Sequence, residues 1–370
     1  MTKGGAPLVL VAAGGTGGHL FPAEALAAAL AKHDIAVDLA TDKRAAHFRF
    51  PARAVHLIPS ATLRGRNPYQ YARTGALLGL GVAKAWAVLG RVRPAVVVGF
   101  GGYPTVPPLY AATLRGIPTV LHEQNGVMGR ANRVLAPRVT AIATGFRDVA
   151  GVDPTVKAKM TFTGNPIRPA VAAVAATPFA APAPDGKFRL TIFGGSQGAR
   201  VMADVVPAAI ERMAPDIRAR LAITQQARGE DLTRVREAYA RLGIAAETAD
   251  FFNDLPARIA ASHLIVSRSG ASTVAELSAI GRPAILVPLP HALDQDQLAN
   301  AGVLEKAGGA IRINQPDFTP ERLAAEIVAL AGAPQRLVTM AAAAKTAGTI
   351  DAADRLAALV MQVGAVKLAP

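Results

Sequence analysis

Short, largely apolar runs punctuate the chain at residues 8–13, 95–99, 119–122, 190–193, 263–267 and 284–287. Runs of this length without polar alternation predict strands buried on both faces, as in parallel sheets. Residues 21–31 read as an Ala/Leu helix with Pro22 in its first turn, where a missing N–H is tolerated. From 58 to 86 the pattern changes to a basic loop (63–67) and a helix bearing Tyr69, Tyr71, Leu77, Leu78, Leu80, Val82 and Trp86. Arg73 and Lys84 interrupt its apolar surface. Such a helix suits either packing on a sheet or resting among lipid headgroups.

The strand ends carry the chemistry. Residues 14–19 read GGTGGH, 100–105 FGGYPT and 194–199 GGSQGA, each following an apolar run. A glycine loop leading from a strand to a helix N-terminus is a usual seat for a diphosphate. The openings at 14 and 194 predict two Rossmann-like halves, joined by an Ala/Pro run at 169–184 that should hold no regular structure. The first loop fits the dinucleotide fingerprint poorly, because the third glycine falls on Leu20. Asp38 and Asp42 near the next strand end keep a nicotinamide or flavin open at this point.

His19, at the start of a helix, is expected neutral and able to accept a proton, since the positive helix end disfavours the imidazolium. A ring that only orders the glycine loop is the competing reading. In the stretch RSGASTVAELSAIGRPAILVPLPHALDQDQLAN (268–300), Gly270 is expected to supply a sharp turn. Ser272 or Thr273 should cap the helix, with Glu276 in its first turn. The residues 122–125, HEQN, close another strand; His122 and Glu123 suit a structural role, and Asn125 a sugar hydroxyl.

With 370 residues, half of them hydrophobic, the chain is long enough for two domains. Cysteine is absent, which removes disulfide and thiolate chemistry. The start, MTKGGAPLVLVAAGG, lacks the long apolar core of a signal peptide, and no stretch of 18 uncharged apolar residues is present to span a membrane. Charge is lopsided: residues 1–168 hold 20 Lys and Arg against 7 Asp and Glu, whereas 169–370 hold 20 against 19. The first half therefore suits an anionic partner. Nucleic acid fits less well than a phospholipid surface or phosphorylated substrate, because the basic residues are scattered and stacking aromatics few.

Taken together, these motifs resemble those of nucleotide-sugar glycosyltransferases of the GT-B architecture, and most closely the bacterial MurG family, over nearly the whole chain. The resemblance implies an α/β chain with two Rossmann-like domains facing a central cleft: residues 1–168 on the acceptor and membrane side, a linker at 169–187, and a UDP-GlcNAc domain at 188–346. The segment 347–370 would then be a helix packing back on the first domain. The implied reaction inverts the donor sugar, moving GlcNAc from UDP-GlcNAc to lipid I and giving lipid II. His19 would be the base. Thr16, Gly17, Gly18, Asn125, Arg168, Ser196, Phe252, Ala271, Ser272, Thr273, Val274, Ala275, Glu276 and Gln297 would hold the donor, with Tyr103 and Glu123 on the acceptor side. Asp296 stands where the family often has a second glutamine, which puts a hexose contact from that position in doubt. No cofactor and no metal are implied, and no Asp-x-Asp metal motif is present. The implied partners are the two substrates, the anionic cytoplasmic membrane surface and other cell-wall synthesis proteins, but no nucleic acid. The expected location is peripheral, on the cytoplasmic face of the inner membrane. Another GT-B enzyme, such as a glycolipid glycosyltransferase or a UDP-GlcNAc 2-epimerase, remains the alternative; it would differ around Arg64, Tyr103 and Glu123.

Overall fold

The computed structural model describes residues 7–14, 17–45, 49–61, 68–195, 198–290 and 294–366. Thr16, Arg64, Arg66 and Ser196 fall outside these. The chain divides into two compact units, one formed by residues 1–168 with 351–370 and the other by 169–350.

In unit 1 the strands are β1 (Leu8–Ala12), β2 (Ala36–Thr41), β3 (Ala54–Leu57), β4 (Val96–Gly99), β5 (Thr119–Glu123), β6 (Ala141–Thr144) and β7 (Met160–Phe162). They form one sheet in the order β3-β2-β1-β4-β5-β6-β7, parallel throughout. Every residue of β1 is buried because both faces are covered. Val9 and Val11 face a core shared with helix Gly17–Ala31 and the terminal helix Ala352–Val363, whereas Leu10 and Ala12 face helices Pro68–Val92 and Val106–Leu114. Leu356, Ala357 and Val360 bring the terminal helix into this core, and Lys32 bonds Asp354 at 2.8 Å at its edge.

Unit 2 repeats the plan with β8 (Phe188–Phe193), β9 (Leu221–Gln226), β10 (Ala246–Ala249), β11 (Leu264–Ser267), β12 (Ala284–Leu286) and β13 (Ala310–Arg312). The order β10-β9-β8-β11-β12-β13 is again parallel, the doubly wound arrangement of dinucleotide-type domains.

Several expectations need correcting. The first helix begins at Gly17, so Pro22 lies inside it, and His19 belongs to the first helical turn rather than to the loop. The Ala/Pro run is not a structureless linker. Pro169–Val174 is helical, and the chain after it is tied into unit 2 by two cations, the buried Arg282 and the more exposed Lys345. Arg282, 1% exposed, donates to the carbonyls of Ala260, Ile280, Gly281, Thr177 and Pro178. Lys345 donates to the carbonyls of Ala175 and Ala279. These carbonyls include the unpaired ends of helices Leu255–Ala261 and Ala271–Ile280, where a cation also meets the negative end of the helix dipole.

Helix Gln70–Val92 is long and apolar enough to cross a membrane by length and composition, although Arg73, Lys84 and Arg91 leave no 18 uncharged residues in a row. One face of this helix, with Ala85, Val88 and Leu89, is buried in unit 1, largely against helix Val106–Leu114. Its other face leaves Tyr71, Leu80 and Trp86 exposed.

Replacing Arg282 by Met keeps the apolar stem and orphans five carbonyls. Each uncompensated buried acceptor costs about 1–3 kcal/mol, so unit 2 should lose about 3 kcal/mol or more. Denaturant unfolding of the variant checks this; a loss below about 1 kcal/mol would mean water replaces the guanidinium.

Candidate active site

In a parallel sheet the chain leaves every strand at the same edge, and the crevice opens where the strand order reverses. In unit 1 that point lies between β1 and β4, whose ends are level, with Ala12 beside Gly99. Thr105 fastens the two exits together, its hydroxyl lying 2.7 Å from Gly101 O and 3.2 Å from Ala12 O. Gly99 has to be glycine: a Cβ there would lie 2.3 Å from the Thr105 methyl and 2.6 Å from Leu109.

His19 stands at this point. Its Nδ1 is 2.8 Å from Phe100 O. A carbonyl can only accept, so the proton sits on Nδ1, and the neutral ring then carries its lone pair on Nε2. Gly102 lies along that edge; a Cβ on it would be 3.4 Å from Nε2. Its φ of 72° and ψ of 167° belong to a region nearly restricted to glycine, so no side chain covers the imidazole there. Tyr103, half-buried, begins the following 3-10 turn.

The end of β5 adds a buried polar scaffold. Glu123 is 1% exposed, and its carboxylate accepts from Asn125 N (2.9 Å), Asn125 Nδ2 (3.3 Å), Gly129 N (2.9 Å) and Asn132 Nδ2 (2.7 Å). Burial raises its pKa, against the opposing pull of those donors. Placing Glu123 on the acceptor side is therefore corrected: it holds the 124–129 loop and presents no carboxylate to a ligand. Asn125 is partly exposed at the head of that loop, oriented by Glu123. Gln124, 4% exposed, bonds Phe100 O at 3.0 Å. Asn165 donates to Gln124 O at 2.8 Å, an approach that leaves no room for a Cβ on Gly145. Arg168 lies 4.8 Å over the Phe21 ring, and its charge partly offsets the burial that raises the Glu24 pKa. Asp38, mid-strand in β2, is fully buried and bonded by Arg53 and His56, which removes it as a ribose ligand for a dinucleotide.

In unit 2 the reversal lies between β8 and β11, with Phe193 beside Ser267. After β8, Gly194 lies so close to Gly198 and Ala199 that a Cβ on it would sit 2.1 Å from Ala199 N. After β11, helix Ala271–Ile280 starts behind Gly270, whose φ of −60° and ψ of 150° are open to any residue. The glycine is not there for a strained turn; it leaves the helix N-terminus without a side chain over it. Ser272 and Thr273 do not cap the helix but lie within its first turn, and Glu276 falls in the second, 7% exposed. Of the 271–276 set, Ser272, Thr273 and Ala275 are partly exposed, while Ala271 and Val274 are packed inside. Ser269 Oγ bonds Gln297 O at 2.8 Å and Asn300 Nδ2 bonds Ser269 O at 3.2 Å, drawing helix Asp296–Lys306 beside this N-terminus. Gln297 accepts from Leu289 N at 3.1 Å, and Asp296 from Gln297 N at 2.8 Å. Phe252 precedes helix Leu255–Ala261, with the Arg258 guanidinium 4.4 Å over its ring. Among the described residues no cluster of His, Asp or Glu could hold a metal.

Comparison with known proteins gives this architecture its class. Residues 9–144 match the glycosyltransferase family 28 N-terminal domain, and 189–356 match its C-terminal domain. The match to relatives narrows it. Two UDP-N-acetylglucosamine–N-acetylmuramyl-(pentapeptide) pyrophosphoryl-undecaprenol N-acetylglucosamine transferases, from Rhodopseudomonas palustris strains HaA2 and BisB5, are each 62% identical over 97% of this chain and 98% of theirs. The crystal structure of Acinetobacter baumannii MurG superposes with a TM-score of 0.76 at 26% identity, covering 96% of this chain and 99% of that one. The chain belongs to this family of N-acetylglucosamine transferases.

His122 supplies a pH test of the scaffold. Burial, with a smaller push from His19, takes its pKa from 6.5 down to about 4, despite a bond to Gly164 O. The folded value lies below the unfolded one, so the neutral ring's contribution is complete above pH 6.5 and is lost as pH falls towards 4. Stability should drop by on the order of 2 kcal/mol between pH 7.5 and 5, and His122→Phe should remove that part of the slope. Thermal unfolding across this range decides; equal slopes in both proteins would show that His122 protonates without penalty.

Proposed function

We propose that the protein transfers GlcNAc from UDP-GlcNAc to the MurNAc C4 hydroxyl of lipid I, with inversion, and so makes lipid II. The observation that carries the chemistry is the Nδ1 to Phe100 O bond, which leaves the Nε2 lone pair of His19 as the base. As the C4 oxygen bonds to the anomeric carbon, its proton passes to Nε2. The bond from that carbon to the diphosphate breaks, and UDP leaves with the electron pair. In unit 2 the open N-terminus of helix Ala271–Ile280, with Ser272 and Thr273, suits the diphosphate. Glu276 suits the ribose hydroxyls, the backbone beside Phe252 the uracil, and the amide donors of Gln297 a hexose hydroxyl. Thr16 and Ser196 are assigned to the donor on their motifs alone. In unit 1, Gly17, Gly18, Asn125 and Arg168 complete the donor contacts, with Tyr103 on the acceptor side.

Incubation with labelled UDP-GlcNAc and lipid I should give lipid-extractable label; free UDP with an epimerised sugar would favour the epimerase alternative. His19→Ala should lower kcat by roughly 10²- to 10⁴-fold with donor Kd little changed. A parallel loss in both would make His19 a loop or diphosphate contact instead.

The exposed face of helix Pro68–Val92 suits the anionic inner leaflet. Leu80 and Trp86 are 59% and 41% exposed, Arg73 and Lys84 lie on the exposed side, and the Arg115 guanidinium sits 4.1 Å over the Trp86 ring. A basic residue near such a surface contributes about 1 kcal/mol. Lys84→Glu with Trp86→Glu should cut binding to phosphatidylglycerol vesicles by at least about tenfold at low salt, while sparing turnover of a short-chain acceptor. Unchanged co-sedimentation would move the docking face elsewhere.

A further inference from the structure

The three atoms Phe100 O, His19 Nδ1 and Gln124 Nε2 form a nearly equilateral triangle, with sides of 2.8, 3.0 and 3.1 Å. Seen from Gln124 Nε2, the carbonyl oxygen and the ring nitrogen therefore lie about 55–60° apart. The two N–H bonds of a carboxamide are planar and about 120° apart, so they cannot serve both atoms at once. Two arrangements remain. In one, Nδ1–H and Nε2–H converge on Phe100 O and fill its two lone pairs. In the other, Gln124 turns to serve Nδ1, the ring proton moves to the far nitrogen, and two lone pairs face each other across 2.8 Å. The first is the favourable one.

We propose that Gln124 is a positioning residue for the transferase reaction: by occupying one lone pair of the Phe100 carbonyl, it leaves the other to Nδ1–H and so fixes the angle of the His19 ring, the carbonyl itself setting the tautomer. The inference rests on the reading of His19 as the base. Gln124 is suited to this because it cannot itself move: it is 4% exposed, and Asn165 holds its backbone carbonyl at 2.8 Å. Phe100 N is in turn bonded to Ala12 O at 3.0 Å, so the residue that carries the shared carbonyl is anchored on β1. The titratable group facing His19 from β5 is His122, neutral at pH 7 by burial; Gln124 itself adds no charge. The carboxamide thus sets direction without altering the basicity of the imidazole, which a carboxylate in its place would do.

Two substitutions separate positioning from packing. Gln124→Met keeps length and removes the donor. It should lower kcat by roughly 10- to 100-fold with donor Kd within about twofold and the thermal midpoint near wild type. Gln124→Glu would place an oxygen 3.1 Å from Nδ1, draw the ring proton from Phe100 O and raise the imidazole pKa. The acid limb of its kcat profile should then move up by about one pH unit or more. Nitrogen-15 spectra of His19 read its protonation independently of activity: a single Nδ1–H form is expected in wild type and in Gln124→Met, where Phe100 O is still the acceptor, and a larger imidazolium fraction near pH 7 in Gln124→Glu. If the spectra and acid limb match wild type in both variants, Gln124 only packs and the proposal falls. If the spectra of Gln124→Glu change while His19→Ala keeps full kcat, the Gln124–His19 contact stands and the general-base reading is the one that fails.

Discussion

A parallel sheet cannot place chemistry freely. All its strands deliver their loops to one edge, and those loops crowd one another except where the strand order reverses. In unit 1 the reversal separates β1 from β4, and in unit 2 it separates β8 from β11. His19, the Phe100–Gly102 turn, the Gly194 loop and the N-terminus of helix Ala271–Ile280 all stand at one or other of these two points. Register does the rest: Ala12 beside Gly99 makes the exits level, so a ring on the first turn of the helix after β1 meets a carbonyl on the loop after β4.

That edge is made of backbone, and buried backbone needs partners. The protein meets the need with side chains that have no other outlet. Glu123 gathers two backbone N–H groups and two amides; Asn165 takes the Gln124 carbonyl; Arg268 takes the carbonyls of Val287 and Pro288. A charged group buried in this way is costly unless every bond is made, so each site has little freedom to rearrange. The loops gain rigidity from the same bonds that satisfy them.

Much of this was legible in the sequence. Apolar runs without alternation marked the parallel strands, and glycine loops marked the strand ends that matter. Boundaries were less accessible. Pro22 looked like a helix start because proline is tolerated in a first turn, yet the helix runs from Gly17 and carries proline within. Gly270 looked like a turn residue, though its backbone is ordinary. The Ala/Pro run looked loose because its partners, Arg282 and Lys345, lie more than a hundred residues away. Gln124 stood in plain view inside HEQN, but its role depends on a triangle of atoms from β1, β4 and β5 neighbourhoods that no local pattern encodes.

The cations of unit 2 also bear on the proposed seating of a nucleotide diphosphate there. Arg268 and Arg282 have low solvent exposure, and with Lys345 they donate to backbone carbonyls, Arg268 also to Gln315. Moving any of them to a phosphate would orphan helix-end or strand-end carbonyls at about 1–3 kcal/mol each. Among the described residues, the groups at the switch point that suit a phosphate include the N–H donors that begin helix Ala271–Ile280, with the hydroxyls of Ser272 and Thr273 beside them. Such donors are already aligned, need no reorganisation, and favour negative charge through the helix dipole. For a leaving group whose charge grows as the glycosidic bond breaks, a fixed array of this kind stabilises departure more than it stabilises the bound donor. In the proposed reading, that difference accelerates transfer.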